Sequence, residues 1–71
     1  ALLVYSPRTA RVLAALVAAD PALAPLRAVP AVAISQAAAR PLADGGWRTI
    51  RVAEAPSEPA MLAALAALGE R

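Results

Sequence analysis

Three blocks of one pattern make up the chain: an apolar run ends near a serine, and an alanine- and leucine-rich stretch follows. In the first block, residues 2–5 are apolar at consecutive positions, which is typical of a strand covered on both faces. Ser6 and Pro7 come next; serine is a favoured N-cap, and proline suits the first helical position. We therefore predict a buried strand that ends in a turn and leads into a capped helix.

The first helix is predicted over residues 7–19, because Asp20 and Pro21 stop the helical spacing. Its apolar stripe is predicted from residues at helical spacing: Val12, Leu13, Leu16 and Val17. Residues 22–30 are rich in proline but apolar. We expect this connection to pack on the surface of the domain instead of moving as a flexible linker.

The second block predicts a strand over residues 32–34 and a helix capped by Ser35. Gly45 and Gly46 follow this helix and suit its C-terminal cap. Pro41 falls inside the predicted helix, where proline costs about 3 kcal/mol. The sequence therefore predicts a kink in this helix, or a helix that restarts at Pro41.

The third block predicts a strand over residues 49–53, in which apolar and polar residues alternate. This alternation is typical of a strand near the sheet edge with one face in water. Ser57 is the predicted cap of the last helix, and Glu58 suits the positive end of its dipole. The buried stripe of that helix is predicted from its large apolar residues: Met61, Leu62, Leu65 and Leu68.

The order β-α-β-α-β-α predicts an α/β fold with a parallel sheet, of the three-layer, flavodoxin-like type. Right-handed crossovers place consecutive connecting helices on one face of the sheet, which leaves the other face of this apolar sheet uncovered. Parallel sheets are normally covered on both faces. We therefore expect residues 1–71 to be one partial α/β domain, a piece of a larger protein.

Composition excludes several classes of protein. Of the 71 residues, 61% are hydrophobic, yet every uncharged stretch is shorter than the ~18–20 residues that a spanning helix needs. No signal peptide is recognisable, and cysteine and histidine are absent, which excludes disulfides and the usual zinc ligands. We expect a soluble, cytoplasmic protein with no membrane partner. The net charge of +2 comes from scattered arginines, so we expect no nucleic-acid partner.

Candidate chemistry lies at the three joints between strand and helix. In a parallel sheet these joints share one edge, so Ser6, Ser35 and Ser57 are predicted to line one rim. Helix N-termini bind carboxylate or phosphate through their unpaired N–H groups. The alternative is that each serine only caps its own helix. The residues alone leave both interpretations open.

Other polar residues near the joints have two interpretations each. Arg8 and Arg11 are able to reach an anion, but a solvated helix face is the favoured explanation. Glu54 and Glu58 fit an acid/base pair or, more simply, a dipole partner and a surface charge. Glycine-rich phosphate loops and a nucleophile elbow are absent. The sequence therefore favours a binding surface, or an enzyme whose substrate carries its own reactivity.

Three segments resemble one known family, the uroporphyrinogen-III synthases. LLVYSPRTARVL is similar to the family's strand, Ser-Pro turn and helix, and VAISQAAARPLADGGWR to the segment that follows. RVAEAPSEPAMLAAL is similar to the family's ending, in which a threonine or serine follows a proline. Each segment alone is a loose match, but the three occur in order and at the family's spacing.

The resemblance implies an enzyme of two α/β domains with its active site in the cleft between them, of which this chain is the C-terminal part. It implies the cofactor-independent closure of hydroxymethylbilane, a linear tetrapyrrole, to uroporphyrinogen III, with inversion of ring D and loss of water. The full-length protein would be a monomer, whereas the exposed sheet of the fragment would allow self-association. The implied substrate-binding residues lie at the rim: Ser6, Pro7, Arg8, Ser35, Gln36 and Ser57.

No catalytic acid, base or metal ligand follows from the resemblance. Pro41 stands where the family has a helix-compatible residue, and Ala37 where many members have threonine. The tyrosine of the family's interdomain strand has no counterpart here, and Tyr5 is not equivalent to it. The alternative function, from another class, is a non-catalytic flavodoxin-like module for binding or interaction.

Overall fold

The computed structural model describes residues 1–69 as a three-stranded parallel sheet with helices on both faces. The strand order is β1-β2-β3, which confirms the predicted α/β class and parallel pairing. The elements in chain order are β1 (Leu2–Val4), α1 (Pro7–Ala19), a 3₁₀ helix (Pro21–Ala28), β2 (Ala31–Ala33), α2 (Gln36–Asp44), β3 (Ile50–Val52) and α3 (Glu58–Gly69).

The larger core lies between the sheet and the helices α1 and α2. Side chains of one face of the sheet, among them Val4 and Ala33, meet Ala10 and Val17 of α1 and Leu42 of α2. These five side chains are at most 2% exposed. The two helices that connect successive strands therefore share a face, as right-handed crossovers require.

Helix α3 packs on the opposite face of the sheet, where Met61 and Ala64 contact Val32 and Ala53. The expectation of an uncovered second face is therefore wrong over β2 and β3. The crossover rule applies to helices that connect two strands of the sheet, and α3 follows the last strand. It is thus able to turn to either side, and the buried side chain of Val32 provides the apolar contact.

Strand β1 lies at an edge of the sheet and is less covered than predicted. Val4 is buried against α1, but Leu3 is 40% exposed on the face where α3 lies. Tyr5 is 46% exposed and follows the last residue of the strand. Consecutive apolar residues predicted burial on both faces, whereas helix α3 covers the neighbouring β2 and β3.

The buried stripes of α1 and α3 differ from those predicted. Val12 and Leu16 of α1 are each 54% exposed, and the inward residues include Ala10 and Val17. In α3, Leu62 is 52% exposed. The stripes were assigned from the largest side chains, but small alanines occupy much of the inward face because they let the helices lie close to the sheet.

Alanine supplies a large part of this core. Seven of the thirteen buried hydrophobic residues are alanines: Ala10, Ala31, Ala33, Ala38, Ala39, Ala53 and Ala64. Each buries little area, so the larger side chains of Leu42, Met61 and Trp47 provide a disproportionate share of the hydrophobic stabilisation. Within residues 1–69, no helix is long and apolar enough to cross a membrane.

The turn after α2 places Trp47 in the core. The N–H of Trp47 donates to the carbonyl of Leu42 at 3.0 Å, and that of Gly46 to the carbonyl of Ala43 at 3.2 Å. This is the Schellman pattern, in which Gly46 has a φ of 93° that only glycine adopts easily. The predicted glycine cap is therefore confirmed, and Trp47 meets Leu42 in the larger core.

The connection between α1 and β2 packs on the domain as predicted, in the form of a 3₁₀ helix. Asp20 caps it by accepting the N–H of Ala22 at 3.0 Å, and Leu23 and Leu26 contact the larger core. The Nε–H of Arg27 donates to the carbonyl of Gly45 at 2.7 Å. This contact places a positive charge at the carbonyl end of α2 and joins the 3₁₀ helix to it.

Helix α2 runs without interruption through Pro41, so the predicted restart at that residue is wrong. Proline has no N–H to donate to the carbonyl of Ala37, one turn earlier. Ala38, Ala39 and Leu42 are buried on the same helix. Their packing against the sheet keeps the segment helical in spite of the lost hydrogen bond.

We predict that Met61→Ala and Leu62→Ala, on adjacent residues of α3, will differ strongly in stability. Met61 is fully buried and Leu62 is 52% exposed. Emptying the Met61 site costs about 2–5 kcal/mol, whereas a surface truncation costs about 0.5 kcal/mol or less. Urea denaturation followed by circular dichroism measures both. Equal losses would show that α3 does not pack on the sheet through Met61.

Pro41→Ala is predicted to stabilise the domain by about 1–3 kcal/mol, because alanine restores the missing donor and relieves the clash within α2. The gain is smaller than the full cost of proline, since alanine also leaves the unfolded chain more freedom. The midpoint of thermal unfolding should rise. A fall in the midpoint would show that the proline ring makes packing contacts worth more than the hydrogen bond.

Candidate functional site

The three joints lie at the carboxyl edge of the sheet, as predicted. The last residues of the strands are paired across the sheet, Val4 with Ala33 and Ala33 with Val52. Ser6 and Ser35 each follow two residues after their strand, so they occupy equivalent positions in neighbouring joints. Ser57 follows five residues after β3, at the end of a longer loop.

Ser6 caps α1, and its hydroxyl forms its hydrogen bonds to that helix. Its Oγ accepts the N–H of Thr9 at 3.1 Å and donates to the Thr9 Oγ1 at 2.9 Å. Its backbone is extended, with φ −153° and ψ 153°, as the N-cap position requires. Pro7 then forms the first turn without an N–H. The hydroxyl of Ser6 therefore has its own proton engaged by Thr9.

Ser35 caps α2 in nearly the same conformation, with φ −155° and ψ 167°. Its Oγ accepts the N–H of Ala38 at 3.2 Å, and its side chain is half-buried. Gln36 is the first residue of the helix and is exposed. Since the first N–H groups of a helix have no partner within it, those at the start of α2 are available to an anion.

Ser57 precedes α3 and is the most exposed and the most weakly bonded of the three serines. Its Oγ accepts the N–H of Ala60 at 3.4 Å, longer than the bonds at the other two joints. Its carbonyl accepts the N–H of Met61 at 3.1 Å. The predicted cap is present, but it holds the hydroxyl loosely.

Gln36 lines three grooves, and two of these also contain another residue of the predicted site. A groove of about 360 Å³ separates the second and third joints and is lined by residues 34–36 and 52–56. A larger groove of about 960 Å³ lies between α1 and α2, with Pro7 on its α1 wall. The structure thus brings together Pro7, Ser35 and Gln36 of the predicted site. Ser6, Arg8 and Ser57 lie outside both grooves.

The charge along the edge is uneven. Glu54 lines the groove between the second and third joints, and Glu58 lies in the first turn of α3. Both carboxylates are exposed and repel an anion at the third joint. Arg8 is exposed on the first helix. The first and second joints are therefore the better receptors for a carboxylate.

The chemistry that this edge can perform is binding through hydrogen-bond donors. The oxygens of Ser6, Ser35 and Ser57 bond to residues of their own helices, and none bonds to a basic side chain within residues 1–69. The chain contains neither histidine nor cysteine. Serine nucleophiles are activated by a neighbouring base, a role that histidine fills most often. The edge is thus suited to hold and orient an anionic molecule.

Arg40 is not among the predicted site residues, although it lines the larger groove together with Arg11. A signal for it exists in the sequence. Arg11 follows Pro7 by four residues, and Arg40 follows Gln36 by four. Residues four apart lie on the same face of a helix, so each arginine is one turn below a residue of the rim.

Comparison with known proteins gives one result. The family model described as uroporphyrinogen-III synthase HemD matches residues 1–63 of the 71-residue chain. The match contains all three joints and ends within α3. Such synthases act in tetrapyrrole biosynthesis. No curated protein and no solved structure matches the chain.

We predict that Ser35→Ala will destabilise the domain by about 1 kcal/mol, and Ser35→Gly by only a few tenths, because glycine tolerates the N-cap position without a side chain. Ser57→Ala is the matched comparison and should cost less, since its hydrogen bond is longer and more exposed. Urea denaturation midpoints give all three values. A Ser57 effect larger than that of Ser35 would contradict the geometry of the two caps.

Proposed function

The chain belongs to the uroporphyrinogen-III synthase family, and from that membership we propose that it is part of an enzyme that cyclises hydroxymethylbilane to uroporphyrinogen III. The observation that carries the proposal is the match over residues 1–63, which contains three capped joints at one sheet edge. In the proposed enzyme this edge forms one wall of a cleft, and a second α/β domain forms the other.

Hydroxymethylbilane carries eight carboxylates, and the carboxyl edge offers the groups that bind them. The N-terminus of α2 presents backbone N–H groups, and that of α1 adds the N–H of Arg8, since Pro7 has none and those of Thr9 and Ala10 bond to Ser6. Both helices add the positive end of a dipole. Gln36 lines the grooves at this edge and adds a side-chain amide. The proposed contacts of these joints are Pro7, Arg8, Ser35 and Gln36, together with Ser6, whose hydroxyl must turn its proton from Thr9 to the ligand.

Ser57 is a proposed contact of a different kind. Its exposed hydroxyl is loosely held by α3, so it is able to turn toward a ligand. Glu54 and Glu58 nearby weaken the attraction of this joint for carboxylates. We therefore assign the main carboxylate contacts to the first two joints and a single hydrogen bond to Ser57.

The proposed reaction needs little acid or base from this chain. The hydroxymethyl group of the substrate loses its hydroxyl as water, pushed out by the electron pair of its own pyrrole ring. The carbon that remains bonds to the substituted α-carbon of ring D, which gives a spiro intermediate. The bond from that α-carbon to the methylene bridge of ring C then breaks, and the bridge carbon bonds to the free α-carbon of ring D, which releases a proton. Ring D is thereby inverted, and the released proton balances the one taken up by the departing hydroxyl. Residues of this wall then bind the linear substrate so that its two ends lie close enough to react.

The enzyme that contains this chain should convert hydroxymethylbilane, supplied in situ by its deaminase, into the type III isomer. Chromatography of the oxidised products separates type III from the type I isomer that forms without an enzyme. The 71-residue chain alone is the parallel sample and should yield type I, because the other wall of the cleft is missing. Type I alone from the complete enzyme would contradict the proposal.

In the same assay, Gln36→Glu should raise KM about tenfold or more with little change in kcat, because it replaces a donor by a negative charge facing carboxylates. Ala22→Glu is the matched control. It adds the same charge at an exposed residue of the 3₁₀ helix, away from the rim, and should leave KM within about twofold. Equal effects of the two variants would remove Gln36 from the substrate site.

A further inference from the structure

The groove between α1 and α2 extends the rim down the outer surface of the domain. It has a volume of about 960 Å³, and the two helices form its walls. Pro7 and Arg11 line the α1 side, and Gln36, Arg40 and Asp44 line the α2 side. Pro7 and Gln36 also belong to the first and second joints, so the groove opens directly onto the proposed substrate site.

The groove runs along the full length of α2, from Gln36 to Asp44, but on α1 it is lined near the start of the helix, by Pro7 and Arg11. At the end of α2 the helices approach closely, since a Cβ on Gly45 would lie only 3.2 Å from the Cβ of Ala14. Pro7 and Arg11 precede Ala14 on α1, and there the space between the helices is open. The groove therefore lies beside the first turns of α1, next to the first joint.

Positive charge dominates the groove between α1 and α2. Arg11 and Arg40 stand on opposite walls, and both side chains are exposed. Asp44 is the acidic residue in the lining, so the charge of the groove is +1, from two arginines and one aspartate. Within residues 1–69, neither arginine forms an ion pair with an acidic side chain at 4.0 Å or less. Their guanidinium groups remain available to a ligand.

The chemistry of these groups selects the ligand. Guanidinium groups donate two parallel hydrogen bonds to a carboxylate, and two of them on facing walls suit an anion between them. Alanines make up much of the remaining lining, at positions 37, 39 and 43, which suits an aliphatic stem behind the anionic head. A carboxyalkyl side chain has both parts.

We propose that Arg11 and Arg40 form a subsite that receives one carboxyalkyl side chain of a polycarboxylate tetrapyrrole. The identity of the tetrapyrrole rests on the proposed function, whereas the preference for a carboxylate rests on the groove itself. The subsite lies one helical turn below the rim, since each arginine follows a rim residue by four positions. It anchors the periphery of the substrate while the rim binds nearer to its reacting end.

The test is a titration of the 71-residue chain with uroporphyrin I, a stable octacarboxylate, followed by NMR of the arginine Nε–H and backbone N–H signals. The signals of Arg11 and Arg40 should shift on binding. Arg11→Ala and Arg40→Ala should each raise Kd about five- to twentyfold. Arg48→Ala removes the same charge from an exposed arginine before β3 and should change Kd by less than about twofold.

Each outcome decides the proposal. An equal rise in Kd for all three variants would show a general effect of net charge and overturn the subsite. Binding of uroporphyrin I with no shift in the NMR signals of either arginine would also overturn it, and so would the absence of binding. Spectra of the variants without ligand establish that each is folded. Arg11→Lys keeps the charge and loses the planar fork, so it should bind with intermediate affinity.

The two proposals fail separately. Weaker binding of uroporphyrin I by both groove variants, Arg11→Ala and Arg40→Ala, supports the subsite whichever isomer the complete enzyme produces. Type III product from the complete enzyme, together with unchanged binding in both groove variants, overturns the subsite and leaves the proposed function intact.

Discussion

Burial of the central strand on both faces is the constraint on which the rest of this structure depends. The three residues of β2, Ala31–Ala33, are fully buried. Its two alanines face α1 and α2, and Val32 faces α3. Because alanine adds little bulk, helices lie close to the sheet on one side. Val32 contacts α3 on the other, so one short strand holds three layers together.

The parallel pairing of the three strands also aligns the joints at the carboxyl edge of the sheet. Val4, Ala33 and Val52 end their strands side by side, so the turns that follow must leave the sheet at one level. Two of these turns have the same length and the same N-cap geometry, which explains why α1 and α2 start in parallel beside each other. Their outer surfaces then form the walls of one groove. The third joint differs in loop length and in charge, and it contributes less to anion binding.

Much of the fold could be predicted because it depends on local signals. Proline at the start of α1 and the glycine pair after α2 act within a few residues. The helix that the proline predicts and the cap that the glycines predict are both present. The stripes of α1 and α3 were predicted less well. Large residues such as Leu16 and Leu62 lie outward because which side of a helix meets the sheet depends on partners far away in sequence.

The candidate site divides in the same way. Ser35 and Gln36 could be predicted, since a cap after a buried strand is a local feature and parallel strands bring such caps to one edge. Arg40 could be predicted only in part, because its spacing from Gln36 is visible in the sequence, but its place across a groove from Arg11 depends on how α1 packs on α2. Spacing of four residues put each arginine on a helix face, but it did not tell which face.

The sequence by itself determined the order of elements, the capped joints and the family, because each follows from residues that act on near neighbours or from motifs read in a line. Only the tertiary structure decided that α3 covers the second face of the sheet, that β1 keeps an exposed side, and that two arginines share one groove. These features depend on contacts between elements, where burial and close packing select one arrangement among several that the local signals allow.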